Sequence, residues 1–117
     1  KKYGMLQPSA SDTKAVRAVF FIDPNSKIRA LIYYPLSNGR NFQEIKRLLI
    51  AMQTADANKV ATPADWQPGD DVIIPPPGSC GVAKERAEKK DKDVKYFDWF
   101  FCLKKLPIEM APPAMKK

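Results

Sequence analysis

Residues 15–22 read AVRAVFFI, seven apolar side chains and one arginine. Alternation sends Val16, Ala18, Phe20 and Ile22 to one side and Arg17, Val19 and Phe21 to the other. Apolar residues on both sides predict a central strand over 16–22, covered above and below. Asp23-Pro24-Asn25-Ser26 predicts a turn, because proline presets φ and the Asp and Asn side chains bond nearby backbone. Ile28 to Tyr34 then predicts a second strand, antiparallel to the first, which Pro35 stops.

Asn38-Gly39 breaks the pattern, and a period of 3.6 replaces the period of 2. Asn41 suits an N-cap, with Glu44 three residues on as its capping-box partner. Phe42, Ile45, Leu48, Leu49 and Met52 then fall on one helical face and predict a core-packing stripe. Gln43, Glu44, Lys46, Arg47 and Gln53 fall on the other. The stretch VATPADWQPGDDVIIPPPG, residues 60–78, holds five of the eleven prolines, and only DVII suits a short strand. Gly81 to about Lys92 fits a charged helix. Tyr96 to Phe101 packs five aromatics into six positions, which reads as an aromatic-rich arm. The first 14 residues are polar and turn-rich, and PIEMAPPAMKK reads as a loose tail.

Two good strands are marginal alone, and a strand buried on both faces needs neighbours and covering layers. The pattern therefore predicts a chain that does not close its own core. The missing layers are expected from another segment of the same gene product, from a partner subunit, or from both. The start at Lys1-Lys2-Tyr3, without an initiator Met, fits a processed chain or part of a longer product.

Composition changes the picture mainly by exclusion. The 117 residues suffice for one domain or a large part of one, and 44% apolar with 28% charged is within the globular range. No window approaches a membrane span, and no secretory signal is visible. A net charge of +7 permits anionic partners without specifying one. The run KERAEKKDK reads as a solvated surface. With no histidine, Cys/His zinc sites and imidazole-based triads are excluded. Cys80 and Cys102 form no C-x-x-C pair and no secreted disulfide framework, so a cytoplasmic location is expected. No cofactor or metal site is expected. There is no glycine-rich phosphate loop, and no nucleophile beside a paired base.

The candidate chemistry rests on two arginines. A buried guanidinium is costly unless paired and hydrogen-bonded. Arg17 is therefore held in an ion pair, left in water by the strand register, or waiting for an anion with its rigid fork of donors. Arg40, at the loop-to-helix junction, is either an exposed loop residue or a second anion contact. Cys80 reads as a loop thiol, and Trp66 and Trp99 as packing residues. A basic nucleic-acid binder is the weakest reading, because the basic residues do not interleave with the aromatics in a recognisable module.

Arg17-Ala-Val-Phe20-Phe-Ile-Asp23 resembles the R-x-x-F-x-x-D strand of peroxiredoxins. Tyr34-Pro35, then Gly39-Arg40-Asn41-Phe42 and Glu44-Ile45, resemble the strand–loop–helix that follows it. KVATPADWQPGDDVIIPPP is similar to the start of the extra C-terminal domain of the one-cysteine subgroup, and DWFFC to the arm of archaeal-type members. The resemblance spans roughly residues 3 to 103, with four weak motifs in order at suitable spacing. It implies an α/β chain: residues 1–59 as the C-terminal portion of a thioredoxin-like fold (central-sheet hairpin plus helix), and 60–117 as the small extended C-terminal domain and arm. It implies that Arg17 and Arg40 line the pocket and stabilise a peroxidatic thiolate. The motif carrying that cysteine, preceded by Pro and Thr, is not in this sequence, and neither Cys80 nor Cys102 has its setting. The implied partners are an N-terminal segment carrying the peroxidatic cysteine, a peroxide, a thiol reductant, and a homodimer or larger ring formed through the Ile28–Tyr34 edge. Neither nucleic acid nor membrane is expected as a partner. Cys102 is either a resolving thiol, as in archaeal-type arms, or a buried apolar cysteine. The rival reading is a catalytically inactive dimerisation or interaction module of the same architecture.

Overall fold

The computed structural model describes residues 2–5, 9, 15–78, 85, 92–98 and 100–107. The elements run β1 (Arg17–Ile22), β2 (Ile28–Tyr34), α1 (Phe42–Asn58), β3 (Val72–Ile74), β4 (Val94–Asp98) and β5 (Phe101–Lys104). The chain divides into two compact units, Lys1–Gln43 and Glu44–Lys117. Most of α1 falls in the second of these units. The expected helix after Gly81 lies outside the described residues, as do Cys80 and Trp99.

The first unit is built on the β1–β2 hairpin. The strands are antiparallel, with Arg17 opposite Tyr34 and Phe20 opposite Leu31, and a bulge falls between Phe21 and Ile22. Asp23 organises the connecting loop: its Oδ1 accepts from the backbone N–H of Asn25 and of Lys27, each at 2.9 Å. Ser26 takes a left-handed φ of 62° and closes a 2.9 Å bond back to the Asp23 carbonyl. On one face Phe20 stacks edge-on between Tyr3 and Tyr33, with centroids 5.3 and 5.9 Å away. The other face carries Arg17, Val19 and a buried Phe21. Both outer edges of this two-stranded sheet are unpaired among the described residues. Ile22, Ile28, Leu31 and Tyr33 are exposed.

The second unit closes a small core of its own, which the strand count did not foresee. Ile50, Ala51, Trp66 and Val72 are buried together, with Val60 and Leu106 packed against them. The stretch read as an aromatic arm is instead a hairpin, β4–β5. Its β5 strand is central in a three-stranded antiparallel sheet of order β3-β5-β4. Ala61 bridges the outer edge of β3 through two bonds with Ile73, at 2.9 and 2.8 Å. Trp66 is folded inward by its loop: its indole N–H donates to the Asp70 carbonyl at 3.2 Å.

Helix α1 begins where the capping residues place it, directly after Asn41. Its C-terminus is a Schellman cap: Val60 N–H returns to the Ala55 carbonyl at 3.2 Å, and Lys59 holds φ 51°. The stripe expected to fill the core does not do so. Phe42 is 74% exposed and Leu49 45%, while the buried helix residues are Ile50, Ala51 and Thr54. At 100° per residue these three lie roughly opposite the centre of the stripe. The helix is amphipathic as its periodicity implies, but the second unit's core has taken its other side.

Candidate functional site

The two arginines singled out by the pattern occur together in the first unit. Arg17 opens β1, and its side chain is half-buried. Its Nη1 donates to the Leu36 carbonyl and, at 3.1 Å, to the Asn38 carbonyl. Both acceptors belong to the turn that Pro35 starts, closed by Asn38 N–H to Pro35 O at 3.0 Å. Ser37 Oγ donates to Asn38 Oδ1 at 2.8 Å and stiffens the same turn. Arg40 reaches back across the connection: its Nε and Nη2 both donate to the Ala18 carbonyl on β1, each at 3.4 Å. One arginine leaves the strand for the loop, and the other leaves the loop for the strand.

This geometry meets none of the three sequence alternatives for Arg17 in full. It is not bathed in water, and among the described residues no carboxylate pairs with it. Neutral carbonyls hold one nitrogen. The remaining three N–H donors of the fork, on Nε and Nη2, meet no acceptor among the described residues. The result is a positioned, uncompensated positive charge with hydrogen-bonding capacity to spare, the property an anion site requires. Arg40 is exposed and serves, as observed, to fasten the β2–α1 connection to β1. The acceptors were beyond the reach of sequence reasoning, because a backbone carbonyl has no residue signature; Pro35 was the one usable sign.

Cys102 sits on central β5, opposite Ile74 on one side and Tyr96 on the other. Its exposure is 0%, and its thiol donates to the Asp98 carbonyl at 3.5 Å. Arg47 stands out only in the structure; its sequence position marks it merely as part of the polar helix face. Its guanidinium forms a fork onto Glu44, at 2.6 and 2.8 Å, and its Nη1 donates to the Trp66 carbonyl at 3.0 Å. The hydrogen bond to Glu44, more than the charge itself, lowers the Glu44 pKa from its ordinary value. Arg47 thereby ties α1 to the loop that buries Trp66. Among the described residues no cluster of three or more His, Cys, Asp or Glu could hold a metal ion, and no helix is long and apolar enough to cross a membrane.

Comparison with known proteins gives the family. Residues 51–90 match the family described as the C-terminal domain of 1-Cys peroxiredoxin. A peroxiredoxin of Methanosarcina mazei is 63% identical over 105 residues, covering 90% of this chain and 48% of the relative. One from Archaeoglobus fulgidus is 52% identical over 108 residues, covering 88% and 50%. Among solved structures, a yeast mitochondrial 1-Cys peroxiredoxin superposes with a TM-score of 0.66 at 39% identity, over 82% of this chain and 44% of that one. A cysteine-to-serine mutant of the peroxiredoxin 6 of Arenicola marina gives 0.70 at 34%, over 90% and 50%. The architecture is thus part of a thioredoxin-like fold. The chain belongs to the peroxiredoxin family and corresponds to its C-terminal portion. It spans about half the length of the curated relatives it matches.

Proposed function

We propose that this chain forms part of a thiol peroxidase that reduces hydrogen peroxide and organic hydroperoxides. In this reading Arg17 and Arg40 stand beside a peroxidatic cysteine supplied by polypeptide outside this sequence. The observation that carries the reading is the half-buried Arg17 guanidinium, held by carbonyls and left without a carboxylate among the described residues.

The chemistry follows from that charge. A free thiol with a pKa near 8.5 is only about 3% thiolate at pH 7. A guanidinium ~4 Å from the sulfur favours the anion by about 4 kcal/mol at an effective dielectric of ~20. That corresponds to nearly three pKa units before desolvation takes some back. The thiolate attacks one peroxide oxygen; an S–O bond forms as the O–O bond breaks. Sulfur is oxidised to sulfenic acid, and the departing oxygen takes up a proton to leave as water or alcohol. The unused Arg17 donors suit the charge that grows on those oxygens. A thiol reductant then returns the sulfenic acid to thiol with loss of water. The yeast mitochondrial relative resolves its thiol via glutathione/thioredoxin systems. A reducing, cytoplasmic setting suits the same cycle.

As a resolving thiol, Cys102 must attack the sulfenic sulfur and expel water, so β5 has to part from a neighbouring strand first. The unpaired edge of β2, with exposed Ile28, Leu31 and Tyr33 on that strand, suits pairing with the same edge of a second copy. The same edge equally serves the rival reading of a non-catalytic dimerisation module.

The test joins the chain to a cysteine-bearing peroxiredoxin half and follows peroxide consumption with a dithiol. Activity that falls at least a hundredfold in Arg17→Ala is expected. Undiminished turnover in that variant would refute the reading.

A further inference from the structure

Asn38-Gly39 separates strand from helix, and it also carries chemistry of its own. An asparagine side-chain amide is an electrophile, and the backbone nitrogen of the next residue can close a cyclic imide on it. Glycine in that next place leaves the closure unhindered, because it has no Cβ. Of Asn25, Asn38, Asn41 and Asn58, only Asn38 precedes a glycine. Both residues are exposed and lie outside any helix or strand, between the turn at Pro35 and α1. A Cβ at Gly39 would meet nothing within 4 Å, so neighbouring atoms do not obstruct the imide. Among the described residues the Gly39 N–H meets no acceptor.

Two neighbours act on the reacting atoms. Ser37 Oγ donates to Asn38 Oδ1 at 2.8 Å, which makes the side-chain carbonyl carbon more electrophilic and supports the oxyanion formed there on attack. Arg17 Nη1 donates at 3.1 Å to the Asn38 main-chain carbonyl, whose oxygen belongs to the same peptide unit as the Gly39 nitrogen. Loss of the Gly39 proton leaves negative charge largely on that oxygen, and a cation in contact with it favours the loss.

We propose that Asn38 is a site of deamidation to isoaspartate, activated by Ser37 and directed by Arg17, whose own charge the product neutralises. The Gly39 nitrogen bonds to the Asn38 side-chain carbonyl carbon, its proton passes to solvent, and the amide nitrogen leaves as ammonia. Water then opens the ring at one of two carbonyls. Opening at the side-chain carbonyl gives aspartate. Opening at the main-chain carbonyl gives isoaspartate, with the chain rerouted through the side chain. Nothing is oxidised or reduced. Arg17 polarises the main-chain carbonyl and so favours isoaspartate. In that product the oxygen that accepts from Arg17 belongs to a free carboxylate. A neutral mount thus becomes an anion, on a guanidinium that has no carboxylate partner among the described residues. The modification site does not depend on the peroxidase reading; its effect on turnover rests on that reading.

The 117-residue chain is incubated at mildly alkaline pH and digested with trypsin. Mass spectrometry follows the peptide Ala30–Arg40, which holds Asn38 and no other asparagine, with electron-transfer fragmentation to tell isoaspartate from aspartate. Asn38 is expected to convert at least tenfold faster than Asn25, Asn41 or Asn58, mainly to isoaspartate. Gly39→Ala should slow conversion at least tenfold without lowering the melting temperature. Ser37→Ala should slow it severalfold, and Arg17→Ala should slow it severalfold and lower the isoaspartate share. In urea the last two substitutions should lose their effect, and the native sequence should give a smaller isoaspartate share than it does when folded. That comparison needs no substitution, so it decides the matter even where Arg17→Ala does not fold. The proposal is overturned if Asn38 converts no faster than the other asparagines, or if folded and unfolded chains give the same isoaspartate share. It is equally overturned if folded Arg17→Ala converts as fast as the native chain with the same products. Joined to the cysteine-bearing half of a peroxiredoxin, the converted chain should consume peroxide at least tenfold more slowly than the unconverted one. Conversion with undiminished turnover would leave the modification site standing and overturn the role proposed for Arg17.

Discussion

Replacing Thr54 by valine should stabilise the chain. Thr54 is 1% exposed, on the helix side that meets the second unit's core, and its Oγ1 has no hydrogen-bond partner among the described residues. An unsatisfied buried hydroxyl costs about 1–3 kcal/mol of desolvation. Valine keeps the branched shape and the helical rotamer, and replaces that hydroxyl with a methyl worth about 0.8 kcal/mol when buried. Allowing for the imperfect fit of a slightly larger group, the gain should be about 1–2 kcal/mol. In a unit of this size that raises the melting temperature by roughly 5–10 °C. Urea unfolding followed through Trp66 fluorescence, in a Trp99→Phe background, gives the midpoint and slope. The midpoint should rise while the slope stays constant, since the surface exposed on unfolding is unchanged. Thr54→Ser, which keeps the hydroxyl and loses the methyl, should move the midpoint the other way by about 1 kcal/mol. A valine variant no more stable than the native chain would show that the hydroxyl has a partner, such as a back-bond along the helix or an enclosed water, and would refute the reasoning.

Lys59→Gly should add about 0.5–1 kcal/mol to thermal stability, because glycine holds the left-handed φ of the helix cap without strain; a loss would contradict the cap. The Glu44 carboxyl has a lowered pKa in the folded chain, so its contribution is complete above the ordinary value of 4.5 and is lost as pH falls through the folded value. With the Glu44 side chain 41% exposed, that contribution is only about 0.3–0.5 kcal/mol; Arg47→Ala should flatten the acid limb of a stability–pH curve, and an unchanged limb would count against the pair. In a Cys80→Ser background, a thiol reagent should modify Cys102 at least a hundredfold more slowly than it does in the denatured chain; rapid labelling of the folded chain would mean that β5 opens readily, which favours the resolving role. Lys95→Ala should change stability by less than about 0.5 kcal/mol, since the lysine of the Lys95–Asp71 pair is 69% exposed.

Where residue chemistry is local, the sequence was a good guide. Ile28–Tyr34 formed a strand with the bounds its β-branched and aromatic run implied, and Asn41 marked the start of α1. The helix end was not legible, because Lys59 occupies a position where glycine would have been the sign. The β4–β5 hairpin was hidden by a run of aromatics that obscured any two-residue alternation, and its register is a matter of pairing partners distant in the chain. The helix stripe shows a different limit: periodicity reveals that a face is apolar, not which element covers it. At the candidate site the arginines were conspicuous as charges in the wrong company, but their acceptors at Leu36, Asn38 and Ala18 are main-chain atoms that any residue supplies.

The crossed arginines also bear on acid tolerance. A guanidinium anchored by aspartate or glutamate comes adrift once its anchor gains a proton. Peptide oxygens have no such transition, so the mounting of Arg17 on Leu36 and Asn38 is indifferent to acidification. Under the peroxidase reading proposed above, a loss of turnover in acid would then belong to the sulfur nucleophile, whose protonation the cation would oppose, and not to slippage of the scaffold that holds Arg17.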